Sequence, residues 1–203
     1  MKVVRLATTP STQEVARDLP AGSVVVTDHQ SAGRGRLGRT WETPPGTALL
    51  ASFVLPARPL ASLAAGVAVA HACGPRARLK WPNDAMLGGA KLAGILAELH
   101  GDRVVVGIGI NLSWAPPGAA MLGAGTDRDA LLERLAAELE RWFAAPDAEV
   151  LAAWRERADT LGRTVSVELP GERFQGLAED VADDGSLIVA GRTVAAGDVI
   201  HLR

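Results

Sequence analysis

Residues 33–41 read Gly-Arg-Gly-Arg-Leu-Gly-Arg-Thr-Trp, which puts three glycines and three arginines on one short stretch. Glycine at that density neither propagates a helix nor fills a strand, so the chain must pass here through an irregular loop. Its backbone N–H groups can approach a ligand closely, and guanidinium forks grip carboxylate or phosphate oxygens in pairs. Such a loop suits an enzyme that handles anions, nucleotides among them. The same letters satisfy the G-x-G-x-x-G spacing of a dinucleotide-binding turn, but their context excludes it, because that turn joins a strand directly to a helix. Here Asp28-His29-Gln30-Ser31-Ala32 separates the glycines from a strand at 24–27, and Trp41-Glu42-Thr43-Pro44-Pro45-Gly46 follows, which no helix accommodates.

Lysine usage is the second constraint. The chain holds only three lysines, Lys2, Lys80 and Lys91, against eighteen arginines. Where positive charge alone suffices, this sequence uses arginine, so Lys80 and Lys91 mark places that want a compact ammonium on a flexible stem. Both fall in one segment, Leu79-Lys80-Trp81-Pro82-Asn83-Asp84 followed by Lys91-Leu92-Ala93-Gly94-Ile95.

With 203 residues, 48% of them hydrophobic, the chain can bury a full core and a small second unit. A net charge of −2 and a pI near 6.1 argue against a general nucleic-acid binder. Met1-Lys2-Val3-Val4-Arg5-Leu6 has no apolar leader, and no run approaches membrane-spanning length, so the sequence reads as cytoplasmic with no membrane partner. The single cysteine, Cys73, excludes an internal disulfide and reads as a buried thiol. His29, His71, His100 and His201 are dispersed without metal-ligand spacing.

Along the chain, Ser11-Thr12-Gln13-Glu14 fits a capping box and predicts a helix over 12–19. Strands are expected at 47–55 and 78–81, a helix at 60–72, and a hairpin with strands 91–100 and 103–110 around Gly101-Asp102. Pro82-Asn83-Asp84 reads as a turn. Residues 113–125 form a loop, and 127–144 an amphipathic helix with Leu131, Leu132, Leu135 and Leu139 inward. A last helix covers 149–159. From Leu161, short alternating segments punctuated by Pro170-Gly171, Asp183-Asp184-Gly185 and Ala190-Gly191 predict an all-β module of about forty residues. The junction near 159–162 divides the chain into 1–160 and 161–203.

Four segments in order resemble the biotin–protein ligases: Ser11-Thr12, residues 30–41, the pair Lys80-Trp81-Pro82-Asn83-Asp84 and Lys91-Leu92-Ala93-Gly94-Ile95, and Gly107-Ile108-Gly109-Ile110-Asn111-Leu112. Together they span about half of the chain. The resemblance implies an α+β fold: a mixed sheet with flanking helices, of the class II synthetase-like kind, followed by a small SH3-like β-barrel. It implies that ATP activates biotin as biotinyl-5′-AMP, and that a lysine of a biotin carboxyl carrier protein then takes the biotinyl group. Some members carry an N-terminal DNA-binding domain. The Ser-Thr motif at residue 11 leaves no room for one, so the chain resembles the monofunctional class, a monomer or weak homodimer.

The family's positions map residue by residue. Lys91 would lie between the biotin carboxylate and the α-phosphate, Arg36 would retain the mixed anhydride, and Lys80 would assist the phosphates. Biotin contacts fall on Ser11, Thr12, Gln30, Gly33, Arg34, Gly35, Arg36, Lys91 and Gly94. Gln13 joins them although the family more often has asparagine there. Adenylate contacts fall on Arg34, Arg36, Arg39, Trp41, Lys80, Asn83, Lys91 and Asn111, with Trp41 either stacking on adenine or covering the loop's hinge. Asp84 is the candidate ligand for Mg²⁺. Two alternatives stand beside this: a lipoate or octanoate ligase of the same fold, and a non-catalytic biotin-binding sensor.

Overall fold

The computed structural model describes residues 1–202. A seven-stranded sheet is built from β1 (Lys2–Thr9), β2 (Ser23–Gln30), β3 (Ala48–Pro56), β4 (Arg78–Lys80), β5 (Asp84–Leu87), β6 (Ala90–His100) and β7 (Arg103–Asn111). Its order is β1-β2-β3-β7-β6-β5-β4. Only β1 and β2 run parallel, joined through α1 (Thr12–Arg17). The other pairings are antiparallel.

Period-two alternation assigns the two faces of this sheet. Val24, Val26, Leu49, Ala51, Phe53, Val106, Ile108 and Ile110 face the main core. Three helices pack on that side: α2 (Ala61–Cys73), α3 (Arg128–Ala144) and α4 (Asp147–Arg157). Because α2 lies between the sheet and α3 and α4, its alanines, valines and Leu63 are buried almost all round. Cys73 packs at the edge of this core, and burial pushes its thiol up to about 12. The opposite parity, Val25, Val54 and Val105, meets Ala16 of α1 in a smaller cluster. Farther along the same face stand Ser52, Gly94, Gly107 and Gly109, where the sheet is left open for a cavity.

The last part of the chain forms a second sheet from β8 (Thr164–Leu169), β9 (Glu172–Val181), β10 (Leu187–Val189), β11 (Arg192–Val194) and β12 (Asp198–His201). Its order is β11-β10-β9-β8-β12. The expected small barrel is therefore an antiparallel sheet that does not close. After the three-residue β11, the chain crosses at Ala195-Ala196-Gly197 to pair β12 with β8, leaving β11 and β12 as opposite edges. Trp81 pins this sheet to the first: its N–H donates to Thr160 Oγ1 at 3.0 Å and its indole N–H to the Gly185 carbonyl at 3.0 Å.

Most elements lie where the sequence places them. The first helix ends at Arg17, two residues before the expected Leu19, and the last begins at Asp147, ahead of Glu149. Pro82-Asn83 turns as expected, but Asp84 already belongs to β5. None of the described helices is long and apolar enough to cross a membrane.

Candidate active site

A cavity of about 310 Å³ opens on the α1 face of the seven-stranded sheet, where that helix leaves it bare. Its floor is Leu50 and Ser52 of β3, Gly94 and Leu96 of β6, and Gly107 and Gly109 of β7. The glycines matter because Trp41 lies against the sheet. A Cβ at Gly109 would come within 2.6 Å of its ring, and one at Gly94 within 2.9 Å. Gly94 and Gly109 are register partners, so together they make a flat seat for the indole.

One end of the cavity is neutral and buried. Ser11 caps α1, its hydroxyl accepting from the Gln13 N–H at 3.3 Å, and also lines the cavity. The helix cap and the cavity lining thus share one residue. Thr12 donates its N–H to Gln30 Oε1 at 2.8 Å, which orients the Gln30 amide at the end of β2. Gln13 is buried and spends its amide on the sheet, donating to the Leu96 and Val105 carbonyls at 3.3 and 2.9 Å.

The other end is cationic and partly exposed. Lys91 Nζ stands 2.7 Å from Asp84 Oδ1 and 5.6 Å from the Trp41 ring centre. Lys80 ends β4 nearby. Burial lowers the pKa of its ammonium, and the Asp84 carboxylate partly restores it. The arginine loop closes over these groups through a 3₁₀ turn at Arg36–Gly38. Arg34 pairs with Glu98 at 2.8 Å, Arg36 donates to Asn83 Oδ1 at 3.1 Å, and Arg39 pairs with Asp198 of the second sheet. Burial also lowers the pKa of Arg36, with Asp198 opposing the shift, yet a guanidinium stays charged. Asn83 holds the turn in place, donating to the Ile95 carbonyl at 2.8 Å.

All but two of the residues singled out from the sequence meet on this one wall. Gly33 lies beneath it: a Cβ there would sit 2.2 Å from the Trp41 carbonyl, so it lets the loop fold on itself. Asn111 is buried behind it and donates to the Ala120 carbonyl at 2.9 Å, fastening the loop after β7. The wall also contains Ser52, Glu168 and Asp198, which the sequence did not single out, and Gly107, which it marked only as part of a matching segment. Ser52 carried a faint signal, a lone hydroxyl within Leu49-Leu50-Ala51-Ser52-Phe53-Val54. Asp198 and Glu168 carried none, since only the docking of the second sheet brings them here.

Comparison with known proteins identifies the class of ligases to which this mixed sheet, with its open glycine-lined face and cationic loop, belongs. Residues 4–113 match the biotin/lipoate A/B protein ligase family, and residues 160–202 match the biotin protein ligase C-terminal domain. The chain is 40% identical to a biotin–acetyl-CoA-carboxylase ligase of Mycobacterium tuberculosis, covering 90% of this chain and 80% of that one. It is 37% identical to the corresponding ligase of Paracoccus denitrificans, covering 92% and 93%. The structure superposes on the Aquifex aeolicus biotin protein ligase in complex with biotin and ATP with a TM-score of 0.87, at 26% identity, covering 100% of this chain and 99% of that one. This chain belongs to the biotin/lipoate A/B protein ligase family.

Proposed function

We propose that this enzyme is an ATP-dependent biotin–protein ligase. One observation carries the reading: a single cavity joins a buried neutral end, formed by Ser11, Thr12 and Gln30, to a cationic end formed by Lys80, Lys91, Arg36 and Arg39. Biotin has the same polarity, a neutral ureido ring at one end and a carboxylate at the other. Lipoate carries no polar ring to use the first end, and a sensor that only held biotin would have no need for Lys80, Lys91 and Asp84 together.

In the first step an anionic carboxylate approaches a polyanion, so fixed cations must offset the repulsion and hold an in-line geometry. Lys91 meets that need, since its flexible stem can follow both the carboxylate and the α-phosphate. The carboxylate oxygen bonds to the α-phosphorus, the bond to the β-phosphate bridging oxygen breaks, and pyrophosphate leaves with that electron pair. Arg36 and Arg39 close over the resulting biotinyl-5′-AMP. A carrier lysine then attacks the acyl carbon, forming an amide and releasing AMP and a proton.

Magnesium would ride with ATP. Among the described residues no three His, Cys, Asp or Glu side chains cluster to make an all-protein metal cage. Asp84 supplies a single carboxylate beside Lys80 and Lys91, which fits a cation held mainly by phosphate oxygens and water. Such an ion would neutralise charge on the phosphates. We assign residues 1–160 to the adenylating unit and 161–203 to a small unit that contributes Asp198 and Glu168 to the rim. The test is to mix the enzyme with biotin, Mg·ATP and a biotin carboxyl carrier domain and weigh the carrier. One biotinyl addition per carrier domain supports the reading; an unmodified carrier with biotin, or modification only with lipoate, contradicts it.

A further inference from the structure

The neutral end contains a chain of buried oxygens whose protons do not match its contacts. Gln13 is fixed in orientation, because its Nε2 faces two carbonyls that can only accept. Its Oε1 therefore accepts from Ser52 Oγ, 3.0 Å away. Ser52 is fully buried, and its hydroxyl also lies 2.8 Å from Thr12 Oγ1. Thr12 Oγ1 in turn lies 3.0 Å from Gln30 Oε1, an oxygen identified as such because the Thr12 N–H points at it. The chain thus runs from one amide oxygen, through two hydroxyls, to another amide oxygen. It has three oxygen–oxygen contacts and two protons to fill them.

A buried polar contact without its proton is costly, and the shortfall falls on the ligand side. Gln13 draws the Ser52 proton, and of the two contacts left to the Thr12 proton the shorter, 2.8 Å to Ser52 against 3.0 Å to Gln30, takes it, so Thr12 Oγ1 and Gln30 Oε1 are left lining the cavity as acceptors. Gly107 keeps room for this arrangement, since a Cβ there would meet Gln13 Oε1 at 2.6 Å. A ligand that brings an N–H to this wall completes the proton count.

We propose that Gln13 and Ser52 are positioning residues that make the Thr12–Gln30 end an acceptor wall, selective for the ring N–H of a cyclic urea through the Thr12 and Gln30 oxygens. This rests on the biotin reading above and names its specificity device. Removing the Ser52 hydroxyl would free the Thr12 proton for Gln30 Oε1. The unmatched acceptor would then be Gln13 Oε1, away from the ligand, and the Thr12–Gln30 pair would demand less of it.

The test is a cycle of binding constants measured by calorimetry. The ligands are biotin and the two cyclic carbamates in which one or the other ring N–H is replaced by oxygen, which keep the carboxylate and match biotin in charge and shape. The wild type should bind at least one carbamate about 100-fold or more weakly than biotin. In Ser52→Ala that discrimination should shrink by about tenfold. Gln13→Asn, whose amide oxygen retreats from Ser52 by one methylene, should shrink it in the same direction and serves if Ser52→Ala does not fold. A general loss of structure would weaken all three ligands alike and leave their ratios unchanged. Unchanged ratios in the folded variants, with biotin still bound, would overturn the inference alone. A wild type that binds no biotin would overturn both the inference and the reading beneath it.

Discussion

The two ends of the cavity are held in opposite ways. At the neutral end the side chains are oriented by hydrogen bonds within the protein: Gln13 to two sheet carbonyls, Thr12 to Gln30, Ser52 to both hydroxyl and amide neighbours. These residues sit on strands or at a helix cap, so their geometry is paid for in folding. At the cationic end three of the cations are tied to protein carboxylates instead, Lys91 to Asp84, Arg34 to Glu98 and Arg39 to Asp198, while Arg36 reaches the Asn83 amide oxygen. Phosphates must share or displace those carboxylates when they arrive. On the function proposed above, the comparison implies a division of labour in which the rigid end selects the ligand and the exchangeable end supplies rate.

The largest effect should come from removing the central cation. Lys91→Ala is expected to lower adenylation by on the order of 10²-fold or more while biotin binding is largely kept, because its charge acts in the transition state. Stopped-flow detection of pyrophosphate release, beside calorimetric binding of biotin, checks both halves. Comparable losses in both would break the division of labour. A smaller effect follows from the seat of Trp41. Gly109→Ala puts a methyl where the indole rests, so the ring must shift, and the KM for ATP should rise about tenfold with biotin affinity little changed. Steady-state kinetics with each substrate varied would show it.

Smaller again is the consequence of opening the loop. Arg36→Gly removes the guanidinium that reaches Asn83 and should let biotinyl-5′-AMP escape, with several-fold more biotin on bystander lysines. Blotting a mixture of carrier and non-carrier proteins measures it, and unchanged selectivity would remove Arg36 from that role. The smallest effect lies at the junction of the two sheets. His201 touches Thr160 and faces Asp159, Lys80 and Arg163. Burial, reinforced by Lys80, lowers its pKa below the ordinary 6.5. The unfolded chain then binds this proton more readily than the folded one, so stability is full above pH 6.5 and falls as the pH drops below it. His71 shifts the same way, again through burial. His201→Gln should flatten the fall in Tm between pH 7 and pH 5.5 by about 1–2 °C.

The site was legible where chemistry needs unusual local composition. The arginine–glycine loop and the two rare lysines stand out because no packing argument calls for them. The hairpin from β6 to β7 was legible for a different reason, a turn signal between two apolar runs. Gly107 and Gly109 stood out only as part of a matching segment, and Ser52 was not singled out, because their role depends on parity: each faces the cavity only through the register of β3 and β7. Asp198 and Glu168 depend on tertiary docking, which leaves no local mark. The unclosed second sheet belongs with them, since whether edge strands meet is decided by the crossing at Ala195-Ala196-Gly197 rather than by any strand's own pattern.

The most direct test of the central claim is exchange of labelled pyrophosphate into ATP, run with biotin, with lipoate and with neither acid, on the wild type and on Lys91→Ala. Exchange that depends on biotin and is lost in the variant is the predicted result. Exchange that depends on lipoate, or tight biotin binding with no exchange at all, would contradict it.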